Sequence, residues 1–112
     1  MMDINNLTIT GHLTADPELR HTPKGFACCN LRIAINRSHK SSEGALKEET
    51  IFIDVVAWKE MGELCHKHLV KGKRVGVTGR LVEDVWTDKQ SGQPRSKFKV
   101  NATEVIFLSP LE

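Results

Sequence analysis

Read with a period of two, the segment Ile51-Phe52-Ile53-Asp54-Val55-Val56-Ala57-Trp58 separates into two unlike faces. Ile51, Ile53, Val55 and Ala57 form a wholly apolar face, which predicts contact with a core. Phe52, Asp54, Val56 and Trp58 form the other, which mixes a carboxylate with two large rings. An unpaired carboxylate is not expected inside an apolar interior, so this face is expected to point outward. Rings grouped on an outer face mark a contact surface. A ligand would satisfy that reading, and so would a neighbouring subunit or the following helix; the segment by itself does not choose.

The same alternation recurs along the chain. Leu7, Ile9 and Leu13 face in while Thr8, Thr10, His12 and Thr14 face out. Gly11 falls on the inward parity, which predicts a bend or the close approach of another backbone. Asp16-Pro17 ends this strand, and Pro23-Lys24-Gly25 predicts a tight turn. A second strand is expected from Phe26 to Arg37, with Ala27, Cys29, Leu31, Ile33 and Ile35 inward. The polar stretch from Ser38 to Lys47 predicts a long hairpin loop before the third strand.

From Lys59 to Val70 the period changes to that of a helix, with Met61, Leu64, Cys65, His68 and Leu69 on one stripe. Glu60 and Glu63 near its start and Lys67 and Lys71 near its end suit the macrodipole, and Gly72 is expected to cap it. A fourth strand from Lys73 to Thr87 places Val75, Val77, Leu81 and Val85 inward, and Arg74, Thr78, Arg80, Asp84 and Trp86 outward. Asp88 to Pro94 reads as a second hairpin loop. In the fifth strand, Arg95 to Leu108, the apolar parity shifts between Val100 and Val105, which predicts a bulge near Ala102-Thr103. Ser109-Pro110-Leu111-Glu112 ends the chain.

Five strands with one α-helix between the third and the fourth are the layout of an all-β, five-stranded OB-fold barrel. The 112 residues suffice for a single such domain over 1–112. No apolar run is long enough to span a membrane, and Met1-Met2-Asp3-Ile4 lacks the blocks of a signal peptide, so a cytoplasmic protein is expected. Cys28, Cys29 and Cys65 lack a C-x-x-C spacing, which argues against a disulfide framework or a cysteine-based zinc site. Cys65, His66 and His68 do not share one face, so no metal is expected there, and no cofactor elsewhere. No nucleophile beside a base, no useful carboxylate pair and no phosphate-cradling glycine loop is present, so no enzyme is expected.

The net charge is only +2, from 16 Lys and Arg against 14 Asp and Glu. A polyanion partner must therefore be argued from where the charges lie. The outward rings Phe52, Trp58 and Trp86 share their strands with Arg74 and Arg80 or lie beside the strand of Arg32, and His39, Lys40 and Lys89 flank the hairpins. Rings stack on unpaired bases and cations track phosphates, which is the chemistry of sequence-independent single-strand binding. A duplex reader would show a basic recognition helix, whereas the helix here is amphipathic with mixed charge.

At this point the chain resembles the bacterial single-stranded DNA-binding (SSB) proteins. The resemblance runs through Leu13-Thr14-Ala15-Asp16-Pro17-Glu18-Leu19-Arg20, Pro23 to Gly25, Phe52 to Trp58, Leu69 to Gly72, Val77-Thr78-Gly79-Arg80-Leu81 and Trp86-Thr87-Asp88, in that order and spacing. It implies an OB-fold subunit of a homotetramer, a dimer of dimers, that binds and protects single-stranded DNA in replication, recombination and repair. Trp58 and Trp86 match the family's stacking positions, Phe52 falls where the family often has an aromatic, and His39 falls where some members have tryptophan. The expected phosphate-contacting set is Arg32, Arg37, Lys40, Lys59, Lys71, Arg74, Arg80 and Lys89. After the aromatic that ends the third strand the family usually has Gly-Lys, where this chain has Lys59-Glu60. The family also carries a flexible tail with an acidic tip that recruits replication and repair enzymes. This sequence stops at Glu112 without one, so tail-dependent partners are not expected. The other reading left open is an OB adaptor whose rings contact a protein.

Overall fold

The computed structural model describes residues 1–109; Pro110, Leu111 and Glu112 lie outside the described residues. Six strands and one helix follow in the order β1 (Leu7–Leu13), β2 (Glu18–His21), β3 (Ala27–Lys40), β4 (Leu46–Trp58), α1 (Lys59–His68), β5 (Arg74–Thr87) and β6 (Pro94–Phe107). The sheet order is β1-β5-β6-β4-β3-β2, and β1 also meets β3, so five of the strands close into an OB-fold barrel with β2 laid against β3 outside the ring. The short strand β2 was not anticipated. It moves the helix from between the third and fourth strands to between β4 and β5 by count alone.

Closure depends on a narrow seam. β1 runs antiparallel to β5 from Leu7↔Gly79 to His12↔Arg74, then meets β3 at His12↔Ala34 and Leu13↔Ile33. Gly11 stands where β1 passes from one neighbour to the other. A Cβ there would lie 2.4 Å from the Ala34 carbonyl oxygen, the close backbone approach expected from its inward parity. The barrel core is made by Leu13, Cys29, Leu31, Ile33, Val55, Ala57, Val75, Val77 and Val100, with Cys65 and Leu69 closing one end. The parity shift in β6 is a bulge. Thr78 pairs with Glu104 and Gly79 with Ala102, leaving Thr103 as the extra residue. Its hydroxyl donates to the Thr78 carbonyl at 3.0 Å.

The helix ends at His68, two residues before the expected Val70, because Leu69 is already extended. Its buried line is Gly62, Cys65 and Leu69, and Leu64 is half exposed. One short helix lying across a barrel end covers a narrower stripe than the sequence period suggests. Gly72 is not the helix cap. It takes φ +93° in the following turn, where the Lys73 N–H bonds the Val70 carbonyl at 3.1 Å. Asp16 proves structural, since its carboxylate accepts the Lys71 N–H at 2.8 Å and ties the β1–β2 link to that turn.

Two antiparallel ribbons extend beyond the barrel. Pairing of β3 with β4 continues to Lys40↔Leu46, so the connection is the short loop 41–45, not a long one from Ser38 to Lys47. Pairing of β5 with β6 continues to Thr87↔Pro94. On this second ribbon Leu81 and Val85, expected inward, are 40% and 63% exposed. The cause is geometric: β1 pairs with β5 only as far as Leu7↔Gly79, so β1 does not cover the inward parity farther along. Asn5 secures the point of departure with two side-chain bonds, donating to the Leu81 carbonyl at 2.8 Å and accepting the Leu81 N–H at 2.9 Å.

Candidate nucleic-acid interface

Register defines one face across both ribbons, outward except where Ala34 and Val56 lie buried. Trp58 lies opposite Cys28, Val56 opposite Asn30, Asp54 opposite Arg32 and Phe52 opposite Ala34. On the neighbouring pair Trp86 lies opposite Arg95, Asp84 opposite Lys97, Val82 opposite Lys99 and Arg80 opposite Asn101. The two sets join where β4 and β6 run parallel at Val56↔Asn101. Directly opposed residues share a face, so Phe52, Trp58, Trp86, Arg32 and Arg80 belong to one surface. The rings are exposed by 53% (Phe52), 36% (Trp58) and 46% (Trp86). The helix that follows Trp58 therefore leaves its ring accessible.

An open cleft of about 340 Å³ is lined by Asn30, Leu31, Arg32, Asp54, Asp84, Lys97 and Lys99, together with Ala15, Asp16 and Glu18. Its cations are paired. Arg32 donates to Asp54 at 3.2 Å and also lies 5.4 Å from the Phe52 ring centroid. Lys97 donates to the other Asp54 oxygen, and Lys99 lies 3.4 Å from Asp84. Asp54 thus holds β3, β4 and β6 together, which answers how this face tolerates a half-buried carboxylate. Burial pushes its carboxyl up, but the hydrogen bonds and charges of Lys97 and then Arg32 outweigh that effect and hold it below the ordinary range. A depressed folded-state value stabilises the fold above the ordinary value of 3.8 and is lost as the pH falls below it. Because both cations are half exposed, Asp54→Asn is expected to cost about 1 kcal/mol at neutral pH. The variant should lose less stability than the parent between about pH 5 and pH 2, as read from urea midpoints across that range.

The remaining sequence candidates are dispersed. Arg37 and His39 share the parity opposite to Arg32 and Phe52's partner Ala34, and His39 lies 3.8 Å from Glu49. Lys40 ends β3 at the ribbon tip, and Lys89 sits in the loop of the other ribbon. Lys71 is at the cleft edge through Asp16. Arg74 lies opposite His12. It is twelve residues from Trp86 along β5, roughly 40 Å. Among the described residues Arg37, Lys40, Lys59, Lys71, Arg74, Arg80 and Lys89 make no ion pair. Sequence reasoning missed Lys97 and Lys99, whose alternation about Phe98 was the available signal, and missed Phe26, an exposed ring just before β3.

Lys59 takes φ +59°, the left-handed region, immediately after Trp58. This conformation costs a residue with a Cβ about 1–2 kcal/mol. Lys59→Gly is therefore expected to raise stability by roughly 0.5–1 kcal/mol after the added chain entropy is allowed for, measurable by chemical denaturation. Residues 4–108 match the model of the single-strand binding protein family.

The chain belongs to the single-strand binding protein family.

Among its relatives, the single-stranded DNA-binding protein of Treponema pallidum is 43% identical over 108 residues, covering 96% of this chain and 60% of that protein. That of Wolinella succinogenes is 40% identical over 93% of this chain and 64% of its own length. The chain thus spans somewhat under two thirds of these relatives. In fold it is similar to the Plasmodium falciparum SSB in its complex with ssDNA, with a TM-score of 0.89 at 23% identity over 97% of this chain and 98% of that one. It is also similar to a deletion mutant of the Thermus aquaticus single-stranded DNA binding protein, with a TM-score of 0.81 at 28% identity over 95% of this chain and 51% of that one.

Among the described residues no helix is long and apolar enough to cross a membrane. Among the described residues no group of three His, Cys, Asp or Glu side chains is placed to hold a metal ion. Cys65 is buried, its thiol pushed up to about 12 first by desolvation and then by Cys29, while His66 is exposed.

Proposed function

We propose that this chain binds single-stranded DNA without sequence preference and protects it during replication, recombination and repair in the cytoplasm. Bases stack on Phe52, Trp58 and Trp86 while Arg80 and other cations without an ion pair meet the phosphates. The observation that carries this reading is the presence of three exposed rings on one outer surface of the barrel. Membership of the family supports it. The activity is binding, with no chemical step assigned to any residue.

The assembly we propose is a homotetramer, a dimer of dimers. Among the described residues Leu7 to Gly11 of β1 pair with β5 alone, and their outward side chains Thr8 and Thr10 are small and uncharged. Such an edge can pair with a twofold mate.

Competition tests the binding. Labelled oligo-dT held by the protein should be displaced by unlabelled single strands of any composition and not by duplex of equal length. Equal displacement by duplex would defeat the reading. In the same assay Arg80→Ala should lower the slope of log affinity against log salt by about 1 with no change in base preference. An unchanged slope removes Arg80 from the phosphate contacts.

A further inference from the structure

We infer that Phe26 and Lys59 form an additional base-and-phosphate subsite that continues the binding surface beyond Trp58, an inference that rests on the single-strand reading above. Phe26 is 46% exposed although it borders the buried residue Ala27. It shares the strand parity of Cys28, which lies directly opposite Trp58. The Phe26 ring therefore stands one pleat repeat from the partner of Trp58, about 7 Å along the strand, on the same outward surface.

Its position is fixed. The Thr22 N–H donates to the Phe26 carbonyl at 2.9 Å, the Phe26 N–H donates to the Thr22 hydroxyl at 3.1 Å, and the Gly25 N–H closes the turn onto Thr22 at 2.8 Å. A ring presented on a locked turn loses little freedom when a base stacks on it.

Lys59 supplies the charge. Its ammonium lies 5.1 Å from the centroid of Phe26, and among the described residues it has no ion pair. Lys59 takes the left-handed backbone at the start of α1 while its ammonium stands over that ring. Backbone strain retained at an exposed position points to a use for the resulting geometry. An aromatic face beside an unpaired cation offers one nucleotide both a stacking partner and a phosphate contact. The bland account, a surface cation–π pair with no ligand, leaves both the exposed ring and the retained strain unexplained.

The test introduces a reporter, Phe26→Trp, into a chain carrying Trp58→Phe and Trp86→Phe, so that the sole indole is at position 26. Binding of fluorescein-labelled oligo-dT is followed by anisotropy, and the indole emission is followed in parallel with unlabelled oligo-dT. The inference predicts indole quenching that saturates with the anisotropy. Anisotropy that rises while the indole emission stays constant overturns the subsite and leaves the single-strand reading standing. Failure of the parent chain to bind oligo-dT removes the reading and the inference with it. In the otherwise natural sequence, Phe26→Ala should weaken oligo-dT binding about 5- to 150-fold, the range for one lost stacking contact. Lys59→Gln should flatten the salt slope, as a merely structural cation–π pair would not.

Discussion

Trp58→Ala combined with Trp86→Ala is expected to weaken oligo-dT binding by about 30-fold to 20,000-fold, from roughly 1–3 kcal/mol per stacked base at two rings. The urea midpoint should stay close to that of the parent. Both rings are substantially exposed, so their removal opens little core. Trp58 occupies the N-cap position of α1 but makes no side-chain hydrogen bond there, so alanine leaves the helix start as it was. Trp86 lies on the second ribbon, well beyond the strand pairing that closes the barrel. Anisotropy titration and urea denaturation on the same preparation separate the two effects. Loss of folding in step with loss of binding would show that the rings hold the domain together instead of holding a ligand.

Ile33→Ala should do the reverse and cost about 2–5 kcal/mol of stability. Ile33 is fully buried, and it lies at the seam where β1 meets β3 through the pairs at His12 and Leu13. Its Cγ2 fills the space left by the missing side chain of Gly11, where a Cβ would stand 2.6 Å away. Two close backbones border the resulting cavity and cannot collapse into it, so the cost belongs in the upper part of the range. Leu81→Ala supplies the contrast. Leu81 reads as a core residue from the sequence but is 40% exposed, and its replacement should cost about 1 kcal/mol or less. Equal losses at the two positions would mean that the second ribbon is covered in solution.

The difference between Ile33 and Leu81 shows where sequence pattern carries structural information. Alternation reports burial, and it located Cys29, Leu31, Val55, Ala57, Val75 and Val77 correctly because each lies where the barrel covers one face of its strand. It failed for Leu81 and Val85 because pairing with the covering strand β1 ends at Leu7↔Gly79, which depends on a contact distant in sequence. It also failed for Ser38 to Lys40, whose strand continues through hydrogen bonds without burial and so leaves no apolar signal. The bulge at Thr103 was legible because an extra residue reverses the parity of everything after it.

The exposed rings of the candidate site were legible for the same reason as the core. A ring on the outward parity of a half-buried strand is conspicuous. The ionic arrangement among Arg32, Asp54 and Lys97 was not, since it joins three strands with no shared spacing. Neither was the conformation of Lys59, which a side chain with a Cβ gives no reason to expect. His39 and Arg37, read together with Phe52, lie on the opposite parity of their ribbon, a separation that only the register reveals.

The central claim is that the rings of the outer surface meet bases, and the chain's own fluorescence tests it directly. With two tryptophans and no tyrosine, the signal comes from Trp58 and Trp86 alone. Titration with oligo-dT at low and high salt should give strong quenching at saturation in both, with the midpoint displaced to higher oligonucleotide concentration by salt. An emission unchanged at saturating oligo-dT in both salts would mean that these rings do not stack on bases, and the binding surface described for this barrel would have to serve a protein partner instead.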